Sequence, residues 1–283
     1  MRLAEAIAQR TAHALATGAL EPIETEETAL EDGGIRFLVR RVSTLAQKER
    51  VRQARAAVFA PLDPFDPPER ELTVVSGWET HVAVLNKFPV LSGHLLLVTR
   101  RFADQEELLD ADDMAVIAHG LAEIDGLAFY NAGAMAGASQ PHKHLQLVPL
   151  PLGASGPRIP IEPIVAAVAV RDGPARLAPL RFAHAFARIA PDAPRRLDAY
   201  YALLAAAGLT VRDGRASAPY NLLATRDWML VVPRARERFE GISINALGFA
   251  GSLFVRDDAQ LAALQRAGPL AALVSVARPA ESA

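Results

Sequence analysis

The sequence predicts an α+β fold: an antiparallel sheet with flanking helices, arranged as two pseudo-repeated halves. Three observations predict it. Residues 81–86 and 93–99 are apolar runs of strand length, joined by a six-residue loop in the manner of a hairpin. A second pair, residues 220–225 and 228–234, returns late in the chain. The two pairs end alike, in HLLLVTRR and NLLATRDWMLVVPR, a short strand–turn–strand repeat. Around them lie Ala- and Leu-rich stretches with helical spacing, which belong beside a sheet.

The elements follow in order. Leu3, Ile7, Ala14 and Leu15 recur at helical spacing, so the chain opens on an amphipathic helix; Arg2, Glu5 and Arg10 interrupt anything like a signal peptide. Residues 45–59 read as a short helix carrying Lys48. The stretch APLDPFDPPEREL holds four prolines, which fix φ and remove donors, so it is an ordered loop with Phe65 free to pack on something flat. After the first hairpin, residues 104–126 are helical in pattern, with a break near Asp110, Asp112 and Asp113. Residues 127–131 form a strand, and 142–148 another. PLGASGPRIPIEP is a crossover loop; residues 162–170, 176–208 and 258–278 are read as helices. The chain is expected to be one compact unit over 1–283, with halves at about 1–155 and 156–283.

Composition narrows the function. The 283 residues are 51% hydrophobic, enough for a sizeable core, and the net charge of −2 gives no general surface for nucleic acid. A small anionic ligand would need a local cluster of donors. With no cysteine, disulfides and thiolate metal sites are excluded. No run of about 20 apolar residues occurs, so no membrane helix is expected. A soluble, cytoplasmic protein fits these facts.

The chemistry concentrates in GASQPHKHLQLVP, residues 137–149. Strand alternation puts His142, His144, Gln146 and Val148 on one face and Lys143, Leu145 and Leu147 on the other. The leucines suit a core, so the histidine face should line a cleft and Lys143 should point away from it. Three readings compete. A metal site would want a third good ligand, and the next residue on the face is glutamine. Two structurally satisfied histidines are the plain alternative. The third is a neutral imidazole attacking phosphorus, with Gln146, Ser139 and backbone N–H groups as donors and Gly137 permitting close backbone approach.

GASQPHKHLQ resembles the active-site motif of the histidine-triad superfamily, in the branch with glutamine in place of the third histidine. That branch holds galactose-1-phosphate uridylyltransferases and ATP adenylyltransferases (diadenosine tetraphosphate phosphorylases). LNKFPVLSGHLLLVTR, FYNAGAMAGASQPHKHLQLVPLP, YNLLATRDWMLVVPR and SINALGFAGSLFVR are similar to stretches of the latter. The resemblance runs from about Lys48 to Arg256 and implies a histidine-triad-like fold. It implies His144 as nucleophile, His142 as its support and Gln146 as holder of a phosphate oxygen. It also implies nucleotide and polyphosphate contacts at Lys48, Asn86, Lys87, Asn131, Gly137, Ala138, Ser139, Gln140, Asn245, Ala246, Leu247, Ser252 and Arg256. At Ser252 and Arg256 the family often carries Met and Lys; Arg for Lys keeps the charge and changes the donor geometry. His81 and His94 read as structural.

The implied reaction is reversible. His144 takes AMP from diadenosine tetraphosphate and releases ATP, and phosphate then takes AMP to give ADP. A divalent cation, Mg²⁺, is expected to arrive on the polyphosphate. Lys48, Lys87 and Arg256 would offset phosphate charge. His144 must be neutral to attack, so activity should fall below about pH 6.5, the ordinary histidine value. A dinucleoside polyphosphate hydrolase, another nucleotidylyltransferase of the superfamily and a non-catalytic nucleotide-binding regulator are the alternatives. A monomer is expected, because an internal repeat lets one chain supply both halves of a site.

Overall fold

The computed structural model describes residues 2–42, 63–74, 78–169, 173–189 and 193–280. Lys48 and the helix expected over 45–59 lie outside them.

The chain opens on α1 (Leu3–Thr17), closed by Gly18 at φ 74°, the left-handed conformation that ends many helices. Next comes a hairpin absent from the sequence reading, β1 (Thr25–Asp32) and β2 (Ile35–Val42). Its turn is Gly33-Gly34, with φ of 56° and 79°. Two positive φ angles are those of a type I′ hairpin turn, and glycine adopts them without strain.

The main sheet is built from β3 (Thr73–Val74), β4 (His81–Leu85), β5 (Leu95–Thr99), β6 (Gly126–Ala132) and β7 (His144–Pro149), then β8 (Ala185–Arg188), β11 (Tyr220–Ala224) and β12 (Trp228–Pro233). A small ribbon, β9 (Val211–Arg212) with β10 (Arg215–Ala216), precedes the last two. The sheet order is β3-β4-β5-β7-β6-β11-β12-β8, and every neighbouring pair is antiparallel. Helix α2 (Ala111–Glu123) follows β5, and α4 (Ala193–Ala206) follows β8. The units β5–α2–β6–β7 and β8–α4–β11–β12 therefore have the same connectivity and meet along β6–β11. The repeat expected from sequence is present in a different register: β11–β12 matches β6–β7 rather than β4–β5.

Helices α1, α2 and α4 cover one face of the sheet, where Leu145, Leu147, Tyr130 and Leu222 are buried. The other face carries a second core, with Phe129, Val148, Leu223 and Leu230. It is covered by β1, β2 and β15 (Ser252–Val255), by the short helices α3 (Glu162–Ala166) and α5 (Ala246–Phe249), and by α6 (Asp258–Ala267) and α7 (Pro269–Val276). A final ribbon joins β13 (Arg238–Phe239) to β14 (Ile242–Ser243).

Several expectations change. Residues 104–109 are not helical; α2 starts at Ala111 because Asp110 caps it, exchanging hydrogen bonds of 2.9 Å with Asp113 in both directions. Residues 176–208 are not one helical stretch, since 185–188 form the edge strand β8 and only 193–206 form α4. Alanine-rich Ala185-Phe186-Ala187 is a strand because it pairs with β12. The last helix breaks at Gly268-Pro269 into α6 and α7: Gly268 sits at φ 85°, ψ 140°, and proline opens the next helix at its first turn.

Candidate active site

The cleft occupies about 480 Å³ on the second-core face, beside β4, β5, β6 and β7. Its lining includes Asn86, Lys87, Asn131, Gly137, Ser139, Gln140, His144, Gln146, Asn245 and Leu247. Ten of the expected ligand positions thus converge. His142, Ala138, Ala246, Ser252 and Arg256 are not among the lining residues.

The nucleophile candidate is set by a short strand. His144 pairs with Val98 on β5, and its ring Nδ1–H donates to the His142 carbonyl at 2.8 Å. That bond fixes the tautomer, leaving the Nε2 lone pair for the cleft. Burial holds the His144 imidazole down at about pH 4, opposed by the bond to His142. The ring is therefore neutral and nucleophilic at physiological pH. The activity limb expected near 6.5 moves down accordingly in the ligand-free protein.

His142 departs from simple alternation. The strand begins at His144, and His142 forms an isolated bridge with Asp104 instead. Its Nδ1 lies 2.7 Å from Asp63 Oδ2, and its Nε2 lies 2.8 Å from the Thr99 carbonyl. The ring is buried and fixed at both nitrogens, so its carbonyl is held where His144 needs it. Phe65, in the proline-rich loop, packs against both rings, 5.4 Å from His144 and 5.9 Å from His142 by centroids.

Gln146 is oriented by a chain of hydrogen bonds with one possible polarity. The Phe88 N–H donates to Asn86 Oδ1 at 3.2 Å, which turns Asn86 Nδ2 toward His94 Nδ1 at 3.1 Å. His94 then carries its proton on Nε2 and donates to Gln146 Oε1 at 2.8 Å. Burial pushes His94 down to about pH 4, which keeps it neutral. Gln146 Nε2 is left as a donor toward the cleft, suited to a phosphate oxygen. His94, read as structural from sequence, is part of the site.

A second chain orients Asn131. Its Oδ1 accepts from Asn221 Nδ2 at 2.8 Å and from the Ala246 N–H at 2.9 Å, so its own Nδ2 is the remaining donor. Asn221 Oδ1 accepts from Arg234 Nη1 at 2.6 Å. Arg234 is 2% exposed and is held by backbone carbonyls, with Ile244 at 2.7 Å and Arg236 at 2.8 Å. Burial lowers its guanidinium to about 10, still charged at neutral pH. These residues come from both halves and tie the seam to the loop bearing Asn245. Asn245 itself caps α5, accepting from the Leu247 N–H at 3.0 Å.

Gly137 is required by space. It sits at φ 94°, and a Cβ there would lie 2.8 Å from Asn245 Cβ. Lys87 is the one cation among the described lining residues, and its Nζ pairs with Glu69 at 2.9 Å. Ser252 is fully buried, and its hydroxyl accepts from Arg40 Nη1 at 2.8 Å, so it braces β2 against β15. Arg256 is exposed, with its backbone N–H bonded to Gln260 Oε1 at 2.9 Å. Lys143 points away from the cleft as alternation predicts, bonding buried Asp113 and the Leu108 carbonyl at 2.5 and 2.8 Å. Asp63, His94, Asn221 and Arg234 were missed in the sequence because each lies far along the chain from the motif it supports.

Residues 1–167 match the family model of the Ap4A phosphorylase N-terminal domain, and residues 178–279 match that of the ATP adenylyltransferase C-terminal domain. Diadenosine 5′,5‴-P1,P4-tetraphosphate phosphorylase 2 of Saccharomyces cerevisiae is 30% identical over 233 residues, 70% of each chain. Protein APA1 of the same yeast is 27% identical over 285 residues, covering 90% of this chain and 87% of that one. The crystal structure of yeast Ap4A phosphorylase Apa2 superposes with a TM-score of 0.82 at 25% identity over the full length of both chains. The same enzyme in complex with Ap4A gives 0.81, again over the full length of both. The chain belongs to the Ap4A phosphorylase family, with an ATP adenylyltransferase C-terminal domain.

Proposed function

We propose that the protein is an ATP adenylyltransferase that cleaves diadenosine tetraphosphate with phosphate, giving ADP and ATP. The observation that carries this reading is the His144 ring: neutral, with Nδ1–H committed to the His142 carbonyl and Nε2 facing a cleft beside Gln146. His144 Nε2 attacks the α-phosphorus. The P–N bond forms as the bond to the bridging oxygen breaks, and ATP leaves. A phosphate oxygen then attacks the same phosphorus, the P–N bond breaks, and ADP leaves. Two displacements replace one, and ping-pong kinetics are the signature. In the adduct the ring carries positive charge, and the His142 carbonyl on Nδ1–H stabilises it.

Gln146 Nε2 and Asn131 Nδ2 serve as donors to phosphate oxygens, with Lys87 offsetting charge. Lys48 and Arg256 extend this set. Among the described residues no group of three or more His, Cys, Asp or Glu could cage a metal. A Mg²⁺–polyphosphate substrate needs no such cage, since the ion travels on phosphate oxygens. Both halves act as one catalytic unit, taken as a monomer. No described helix is long and apolar enough to cross a membrane, which is compatible with a cytoplasmic site of action.

The test measures ADP and ATP formed from diadenosine tetraphosphate with and without phosphate. Phosphate-dependent ADP is expected; cleavage by water alone at an equal rate would make it a hydrolase. With His144→Ala, phosphorolysis should fall by at least about 10³-fold, and no labelled AMP should remain on the denatured protein. Wild-type-like turnover by that variant would overturn the assignment.

A further inference from the structure

Strands β6 and β7 pair from Gly126↔Pro149 to Phe129↔Gln146, and there the ladder stops. Beyond that point β6 stays with β11 as far as Ala132↔Tyr220, while β7 stays with β5 to Val98↔His144. Continued in register, the β6–β7 ladder would have joined Tyr130 to Leu145 and then Asn131 to His144. The equivalent pair in the second half does not part. There β11–β12 continues to Tyr220↔Pro233, and the Arg234 N–H still reaches the Pro219 carbonyl at 2.7 Å. The split is therefore particular to the half that carries His144.

One side chain takes up three of the backbone groups at the split. Gln105 is 2% exposed. Its Nε2 donates to the Asn131 carbonyl at 2.8 Å and to the His144 carbonyl at 3.2 Å. Its Oε1 accepts from the His144 N–H at 2.8 Å. The segment bearing it is pinned on both sides. The Gln105 N–H donates to the Pro141 carbonyl and the Lys143 N–H to the Ala103 carbonyl, both at 2.8 Å. From the second half, Arg215 grips Asp104 at 3.1 Å and Glu106 at 2.8 Å.

We infer that Gln105 is a positioning residue for adenylyl transfer, a side-chain rung that holds the His144 backbone rigid while keeping Asn131 and His144 apart. Side chains directly opposite in a closed antiparallel ladder stand about 4.5–5.5 Å apart at Cβ and touch. Opening the ladder makes room for a phosphate between the Asn131 amide and the His144 ring. The filler must give donors to two carbonyls and an acceptor to one N–H, which a glutamine amide does and an aliphatic or ionised side chain does not. The inference rests on His144 as nucleophile.

The test compares Gln105→Leu, Gln105→Glu and His144→Ala in the full chain, following steady-state phosphorolysis and the rate of labelled AMP capture. For Gln105→Leu, kcat and the capture rate should fall on the order of 10–100-fold while KM for the dinucleotide moves less than about threefold. Gln105→Glu should recover part of its loss between about pH 8 and pH 5.5, because a protonated carboxyl regains one donor. The wild type should show no such gain. If His144→Ala still transfers AMP, the nucleophile assignment fails. If His144→Ala is dead but folded Gln105 variants keep kcat within about threefold of wild type, the positioning role is overturned and the assignment stands. Should either Gln105 variant fail to fold, half-exposed Arg215→Ala decides. A severalfold fall in kcat at constant KM supports the role, and an unchanged kcat refutes it.

Discussion

Proton placement on two imidazoles decides what this cleft offers a phosphate. His144 and His94 are both buried and both held near pH 4, and each has its proton assigned by a neighbour. On His144 the proton faces the backbone and the lone pair faces the cleft. On His94 the proton faces Gln146, which turns that amide's N–H groups outward. Two predictions follow at this scale. The acid limb of kcat/KM, which reports the free enzyme, should lie below about pH 5 rather than near 6.5; a limb at 6.5 in a pH–rate profile would contradict the burial of His144. His94→Leu should lower kcat roughly tenfold or more, because Gln146 Oε1 loses its donor and the amide is no longer held with its N–H groups toward phosphate. Measuring kcat and KM separately checks this, since a mere packing role would leave kcat per folded molecule intact.

At the scale of elements, β7 serves two purposes on two faces. His144 and Gln146 face the cleft; Lys143, just before the strand, and Leu145 and Leu147 face the α1–α2–α4 side. Lys143 pairs with Asp113, itself held by His81 Nε2 at 2.9 Å, and all three are buried. Removing one partner of a buried ion pair leaves an uncompensated charge. Lys143→Met should cost about 3 kcal/mol of stability by urea titration while leaving kcat of the folded fraction nearly unchanged. A collapse of kcat at unaltered stability would mean that Lys143 reaches substrate. The loop before β7 is constrained in the opposite way, by lack of space. Gly137→Ala puts a methyl against Asn245 at positive φ, so KM for the dinucleotide should rise roughly tenfold or more.

Across the whole molecule, one antiparallel sheet joins the halves at β6–β11, and Asn131, Asn221 and Arg234 lock that seam beneath the cleft. The buried histidines also tie folding to pH. The unfolded chain binds protons at His94 and His144 near the ordinary value of about 6.5. The folded chain does so only near 4. Their contribution is present above about pH 6.5 and is lost as pH falls toward 4, on the order of 3 kcal/mol each. The urea midpoint should therefore drop between pH 7 and 5, and the double variant His94→Gln with His144→Gln should flatten that slope. An equal slope in the variant would place the titration elsewhere.

The sequence by itself determined the α+β class, the hairpins at 81–99 and 220–234, the strand that carries His144 and Gln146, and the opposite facing of Lys143 and His144. Those features are local, set by apolar periodicity and by the alternation of side chains along a strand. The tertiary structure alone decided the rest. Ala185–Arg188 is a strand because β12 offers it an edge, and Ser252 braces Arg40 because β15 lies beside β2. His94, Asn221 and Gln105 join the site because sheet order brings distant segments to the same opened ladder. Periodicity tells a side chain which face to take; which donor waits for it there depends on long-range pairing that no window of sequence contains.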